Sequence, residues 1–228
     1  MLTDLRLLAL QAKYLDRAQS FYESFLDLDV RREREGEIAL AAGDTDLILR
    51  RPTAVPRGGV HTHYAFSTPP DRYDEWYDRL DDDFDLAEFD FGTARSLYFD
   101  DPDGHCVEIG TGGKGGETAL TGVFEVVLEV EDLDRSEALY RNLGFEVVDR
   151  GDERRRVRLT GPVDLELWEP QRGIADARGG VHADLTFLAI NPQSAASAVA
   201  DRACRVEDVE PGVRVRDPDG HYLTFVPE

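Results

Sequence analysis

Cysteine, methionine and lysine are scarce in this sequence, and long apolar runs are missing from it. The two cysteines, Cys106 and Cys204, are too few for the disulfide framework of a small secreted domain. No run reaches the roughly 18 apolar residues of a transmembrane helix, and no charged-then-apolar leader opens the chain. These absences predict a cytoplasmic protein with no membrane partner.

Arginine, rather than lysine, supplies almost all of the positive charge. Lys13 and Lys114 are the only lysines, and 26 basic residues stand against 47 acidic ones, a formal charge of −21. Because a polyanion would be repelled by this charge, we expect no nucleic-acid partner. Concentrated salt screens such self-repulsion, since the Debye length falls to roughly 3 Å at 1 M. The composition therefore predicts a halophilic source, with an ordinary acidic enzyme as the alternative.

The sequence repeats itself in two halves. Three landmarks recur in the same order and at nearly the same offset: residues 97–105 in 213–221, 58–61 in 179–182, and 17–22 in 135–140. Such repetition indicates duplication, and the glycine-rich segment 111–117 between the copies is typical of a linker. We therefore predict two domains, 1–111 and 118–228. Asp-Pro-Asp-Gly-His occurs in both, so a structural turn role is favoured for His105 and His221.

Each half divides again into two units with the pattern strand, helix, strand, strand, strand. Apolar alternation marks the strands, and the spacing of Ala18, Phe21, Tyr22 and Phe25 predicts one face of a helix. Four such units predict an α+β fold. We expect the two units of each half to form paired, cupped sheets around a shared cavity.

This organisation resembles the vicinal oxygen chelate superfamily, which includes glyoxalase I, extradiol dioxygenases, and fosfomycin- and bleomycin-resistance proteins. The resemblance is carried by four motifs, at residues 16–22, 60–66, 101–108 and 131–140. Four units in one chain look most like the two-domain extradiol dioxygenases. The resemblance implies a divalent metal held by the first strand of each unit and the last strand of the second.

Carried over to the first half, the family pattern places the metal ligands at three positions. They fall on His63, on Glu108 and on Leu7, which cannot bind a metal. Tyr98 stands where the extradiol signature has a tyrosine, whereas residues 89–91 lack its acid–base histidine. His61 lies two residues before His63, so both imidazoles would face one side of a strand and could complete the site with Glu108. A hydrogen-bonded pair of His63 and Glu108 without a metal is the structural alternative.

The second half matches the pattern less well. Its ligand positions fall on Glu125, Asp184 and Thr224, with Glu166 on a further cavity strand and Arg214 at the tyrosine position. No histidine stands at these positions. We interpret this half as a degenerate copy, with a structural role or a second, acidic pocket.

The resemblance implies a metal-dependent oxidoreductase that acts on a small catechol-like substrate. Fe(II) or Mn(II) would be held by His63 and Glu108, with Zn(II) as an alternative, while His61 and Tyr98 would serve catalysis. Tyr98 would donate a hydrogen bond to the oxygen species. A glyoxalase-type lyase and a metal-free sequestration protein stay open, as does a homodimer.

Overall fold

The computed structural model describes residues 1–52, 63–112, 119–151, 155–169 and 183–228. Within them the chain forms four successive βαβββ units, so the α+β prediction is confirmed. The first unit comprises β1 (Leu2–Gln11), α1 (Leu15–Leu26), β2 (Val30–Arg34), β3 (Glu37–Ala42) and β4 (Thr45–Arg50). The second comprises β5 (His63–Ser67), a 3₁₀ turn (Pro70–Arg72), α2 (Tyr73–Leu80), β6 (Ala87–Asp90), β7 (Arg95–Asp100) and β8 (Cys106–Gly110).

The other two units repeat this order. The third comprises β9 (Gly122–Glu129), α3 (Leu133–Asn142), β10 (Glu146–Arg150), β11 (Arg156–Thr160) and β12 (Asp164–Trp168). The fourth comprises β13 (Asp184–Ala189), α4 (Pro192–Val199), β14 (Arg205–Val209), β15 (Gly212–Arg216) and β16 (Tyr222–Pro227). None of the helices in the described residues combines the length and the apolar character that a membrane span needs.

The strands form two eight-stranded sheets. Their orders are β14-β15-β16-β13-β1-β4-β3-β2 and β10-β11-β12-β9-β5-β8-β7-β6. The first unit therefore shares a sheet with the fourth, and the second with the third. Leu2 of β1, for example, pairs with Ala189 of β13. Because the first strands of all four units carry similar apolar patterns, the repeat alone does not predict this pairing.

Residue contacts divide the chain into two compact units. One contains the described part of residues 10–126, and the other contains residues 1–9 with the described part of 127–228. The predicted domain boundaries, 1–111 and 118–228, stay a prediction. The beginning of β9, including Glu125, lies in the compact unit of residues 10–126, which also contains β5 and β8.

In the second βαβββ unit, strand alternation separates a helix-facing core from a polar face. Tyr64 and Phe66 of β5, with Val107 and Ile109 of β8, are fully buried on the apolar side. Their neighbours along the strands must point to the opposite face, because successive side chains of a strand alternate. His63 and Glu108 are such neighbours.

A buried turn holds the end of β7 to the start of β8. Asp101 accepts hydrogen bonds on Oδ1 from the backbone N–H groups of Asp103 and His105, both at 2.9 Å. Its Oδ2 lies 2.7 Å from the donating Tyr22 hydroxyl and 2.8 Å from Nδ1 of His105. These bonds tie α1 to the turn, which agrees with the turn role predicted for His105.

The second copy of the motif builds the same turn. Asp217 accepts from the N–H groups of Asp219 and His221 at 3.0 and 2.8 Å, and from the Tyr140 hydroxyl at 2.9 Å. The His221 ring differs, since its Nε2 lies 2.9 Å from the carbonyl oxygen of Glu129. The repeated residues Tyr22 and Tyr140 thus perform one structural task in the two halves.

Candidate metal centre

Three strands of the second unit bring a polar group of side chains to one face. β5 and β8 are parallel, with His63 beside Cys106 and Ala65 beside Glu108. β7 is antiparallel to β8 and places Tyr98 directly opposite Glu108. Because cross-strand partners point to the same face, Tyr98 and Glu108 are immediate neighbours. β9 borders β5 in the same sheet and supplies Glu125.

The centre consists of His63, Glu108 and Glu125. One donor atom from each lies within 4.8 Å of the others. All three side chains are buried, at 4, 4 and 5% exposure respectively. His63 Nε2 and Glu108 Oε2 are 2.9 Å apart, so the hydrogen-bonded pair considered from the sequence is present, with a second carboxylate beside it.

This donor set fits a divalent cation. Ligands about 2.1 Å from one ion lie roughly 3 to 4.2 Å from each other in octahedral geometry. The 2.9 Å separation of His63 and Glu108 matches neighbouring ligands, and the 4.8 Å limit on the group leaves only a small side-chain adjustment. Carboxylate oxygens and an imidazole nitrogen are also donor types that divalent transition-metal ions bind.

Tyr98 lines this centre and is held in its neutral form. Its ring centroid is 5.6 Å from that of His63, in an edge-on orientation. Burial raises the pKa of the Tyr98 hydroxyl far above its usual range, and the negative charges of Glu108 and Glu125 raise it further. At neutral pH Tyr98 can therefore donate a proton in a hydrogen bond but does not act as a base.

Gly110 provides room for the Glu108 carboxylate. A Cβ atom at Gly110 would lie 2.8 Å from Ser96 Oγ, 3.1 Å from Phe124 Cζ and 3.2 Å from Glu108 Oε1. All three distances are shorter than ordinary contacts, so an added methyl group would press on Glu108 of the centre as well as on Ser96 and Phe124.

We therefore expect Gly110→Ala to weaken metal binding by about tenfold, the scale of an outer-shell defect. The melting temperature of the metal-free protein would fall only slightly, because Ser96 and Glu108 can rotate. Metal titration by calorimetry, with thermal melts of the metal-free protein, measures both quantities. Unchanged metal affinity in Gly110→Ala would contradict the role assigned to this glycine.

The structure brings together some of the site residues predicted from the sequence, but not all of them. His63, Glu108 and Tyr98 come together, whereas His61 lies outside the described residues. Leu7 belongs to the other sheet, where it pairs with Thr186. It is therefore not an absent ligand of this centre, and the third donor is Glu125 from β9.

Glu125, for which the sequence left a structural role or a second acidic pocket open, lies in the group with His63 and Glu108. Glu166 instead accepts hydrogen bonds from Arg156 at 3.0 Å and from the Trp168 indole at 2.8 Å. Asp184 lies on the other sheet, 3.9 Å from Arg214. Among the described residues, the three carboxylates thus do not form one metal site.

The fourth unit has different residues at the positions that His63 and Tyr98 occupy in the second unit. Arg214 stands where the second unit has Tyr98, and it donates from Nε to the Thr224 hydroxyl at 3.1 Å. Its guanidinium also approaches Asp184, which stands at the position of His63. A fixed positive side chain thus faces this carboxylate. In the fourth unit, which belongs to the half predicted to be degenerate, an arginine thus lies near a carboxylate at the matched positions.

The sequence of this chain is similar to those of curated metallothiol transferases. The metallothiol transferase FosB of Staphylococcus saprophyticus is 29% identical over 105 residues, which cover 43% of this chain and 70% of that protein. FosB of Lysinibacillus sphaericus is also 29% identical over 105 residues, covering 43% of this chain and 74% of its own. No family model matches the chain.

Solved structures show a similar fold over essentially the whole chain. A Bacillus subtilis protein provisionally described as a dioxygenase superimposes with a TM-score of 0.77 and 17% identity, covering 100% of this chain and 86% of its own. Glyoxalase I from Zea mays superimposes with a TM-score of 0.67 and 15% identity, covering 98% of this chain and 92% of its own. At these identities the likeness establishes the fold.

Proposed function

We propose that this chain is a metal-dependent enzyme of the vicinal oxygen chelate type that its sequence motifs resemble, with its ion held by His63, Glu108 and Glu125. The observation that carries this proposal is the burial of one imidazole and two carboxylates with donor atoms within 4.8 Å of one another. A merely structural pair of His63 and Glu108 would not require the second carboxylate of Glu125 in the same buried place.

The donors favour a hard or intermediate divalent ion. Carboxylates suit Mn(II) and imidazole suits Fe(II) and Zn(II), so the mixed set is compatible with Mn(II), Fe(II) or Zn(II). When bound, such an ion would act as a Lewis acid that orients and polarises two adjacent oxygen atoms of a small substrate.

The residues around the ion have separable tasks. Glu108 and Glu125 would supply carboxylate oxygens to the cation, and His63 would supply an imidazole nitrogen. Tyr98, kept protonated by its surroundings, donates its O–H toward the Glu108 side of the centre. A substrate oxygen that reaches this point would meet a hydrogen-bond donor instead of water.

Our first candidate reaction is ring cleavage of a catechol-like substrate by dioxygen. It is supported by the place of Tyr98, opposite Glu108 and beside His63. The similarity of the fold to the Bacillus subtilis protein described as a dioxygenase agrees with this candidate.

The second candidate is a metal-assisted transfer or isomerisation without dioxygen. It is favoured by residues 89–91, which read Phe-Asp-Phe where the extradiol signature has an acid–base histidine. It is also favoured by the similarity to a metallothiol transferase and by the fold shared with glyoxalase I.

Oxygen uptake separates the two candidates. We expect protein purified without chelators to bind about one divalent ion per chain, and its Fe(II) form to consume oxygen and catechol in equal amounts. The Fe(II)-loaded Glu108→Gln variant would show no such uptake. Ion binding with no oxygen uptake, but with thiol transfer or hemithioacetal isomerisation, would instead support the second candidate. Failure to retain any of the three ions would contradict both and favour a metal-free sequestration protein.

A further inference from the structure

An aromatic surface continues outward from the candidate metal centre. Phe89 and Phe91 are 54 and 61% exposed, although phenylalanine is costly to leave in water. Their rings stack at 16° with centroids 6.3 Å apart. Phe89 also meets Tyr98 edge-on at 5.4 Å, and Tyr98 in turn contacts His63. The centre and the exposed pair are thus one continuous run of rings.

The strand register places this run on the face of the metal donors. β6 is antiparallel to β7, with Phe89 opposite Ser96 and Ala87 opposite Tyr98. Ser96 and Tyr98 in turn lie opposite Gly110 and Glu108. Since cross-strand partners share a face, Phe89 points to the same side of the sheet as Glu108.

Both phenylalanines are held by a defined hairpin. The Phe91 N–H donates to the Ala94 carbonyl at 2.8 Å, and the Gly92 N–H donates to Asp90 Oδ1 at 2.7 Å. Gly92 has φ of +81°, which a glycine adopts without strain. The exposed rings are therefore positioned by backbone geometry.

The other face of β6 is already occupied. Glu88 forms a 2.7 Å ion pair with Arg95 and accepts a 3.2 Å hydrogen bond from the Tyr73 hydroxyl. Arg95 also lies over the Tyr73 ring, 4.2 Å from its centroid. Because this side packs on α2, the position of Phe89 on the open side is fixed by its alternation with Glu88.

We propose that Phe89 and Phe91 form the binding wall for a planar aromatic ring of the substrate, whose two adjacent oxygen atoms reach the metal centre. This inference rests on the proposed function, because the centre must hold the chelating end of the same molecule. Stacked and edge-on aromatic contacts favour such a ring over an aliphatic group of similar polarity. The wall thus selects an aromatic chelator over an aliphatic one.

Two hydroxamates test the wall, because they share a chelating group and differ only in the ring. We expect benzohydroxamate to bind the Mn(II)-loaded protein about tenfold more tightly than acetohydroxamate, a scale typical of aromatic contacts. Phe89→Ala and Phe91→Ala would each lower this preference severalfold and leave acetohydroxamate affinity unchanged. Phe89→Leu would retain part of it. Calorimetry gives the affinities, and circular dichroism checks the fold.

Tyr14→Ala is the matched control. Tyr14 is also an exposed aromatic residue, at 58%, and it contacts Lys13 rather than the centre. We expect it to keep the full preference for the ring.

Each other outcome has one meaning. If acetohydroxamate binds but the ring preference survives in both phenylalanine variants, the wall is refuted and the metal-dependent function stands. If the variants instead dissociate a dimer in gel filtration and keep the ring preference, the surface is a chain–chain contact and the wall is again refuted. If Mn(II) does not bind at all, the proposed function and the wall fall together.

Discussion

The Glu125→Gln variant is expected to lose metal binding almost completely while keeping its fold. The substitution preserves the size of the side chain and replaces one of the two carboxylates in the group of His63, Glu108 and Glu125 by a neutral amide. Loss of an outer-shell partner already costs up to about 100-fold in metal affinity, so loss of a direct donor would cost more. Elemental analysis after loading with Mn(II) or Fe(II) measures this effect directly. Thermal melting of the metal-free variant would show little loss, because one of two buried like charges is gone.

Asp184→Asn is the matched control for Glu125→Gln. Asp184 is also a buried carboxylate on the first strand of a unit, but it lies beside Arg214 on the other sheet. We expect this variant to bind as much metal as the wild type. Normal loading of Glu125→Gln, or loss of metal in Asp184→Asn alone, would show that the centre is misplaced.

Asp101→Ala is expected to destabilise the protein by about 3 to 5 kcal/mol, the range for removing one partner of a buried charged network. The carboxylate accepts from two backbone N–H groups, the Tyr22 hydroxyl and the His105 ring. Alanine would leave these buried groups unsatisfied at the turn before β8. Since native proteins are stable by only about 5–15 kcal/mol, denaturant unfolding would register this loss clearly.

Asp27→Asn is the matched control for Asp101→Ala. Asp27 is an exposed carboxylate paired with Arg79, and such surface pairs contribute only about 0.2–1 kcal/mol. Asparagine also tolerates its positive φ of 53°. A loss in Asp101→Ala as small as that in Asp27→Asn would refute the structural role of the turn.

The Asp101 turn also predicts an acid dependence. Burial alone would raise the pKa of this carboxyl, but hydrogen bonds from His105 and Tyr22 outweigh it and hold the pKa below its usual range. A lowered folded-state pKa stabilises the protein above the unfolded pKa of about 3.9, and this contribution is lost as pH falls through the folded value. The stability difference between wild type and Asp101→Asn should therefore be constant near neutrality and shrink below about pH 4.

Much of the candidate site was implied by the resemblance to a known family, which pointed to His63, Glu108 and Tyr98. Strand alternation agrees with these positions, since His63 and Glu108 each neighbour buried apolar residues and face away from them. Alternation is a local property and needs no knowledge of the rest of the chain.

The third donor could not be predicted in the same way. Glu125 appeared in the sequence as the first-strand position of the second half, equivalent to Leu7 in the first. Its arrival beside His63 depends on β9 bordering β5, a contact between strands far apart in the chain. The sequence did not predict the exposed pair Phe89 and Phe91 either. Residues 89–91 were interpreted only as lacking the histidine of the extradiol signature.

The sequence by itself determined the four βαβββ units and the repeated turns at Asp101 and Asp217, which follow from apolar periodicity and turn chemistry acting over a few residues. Its resemblance to a known family implied His63, Tyr98 and Glu108 as site residues. Only the tertiary structure decided which units share a sheet, and with it the exchange of Leu7 for Glu125 at the centre. Four first strands with similar apolar patterns can pair in several ways, and the choice depends on packing of the whole chain. The scarcity of lysine and the charge of −21 still predict a protein adapted to salt, whereas the proposed metal centre uses only two buried carboxylates among 47 acidic residues.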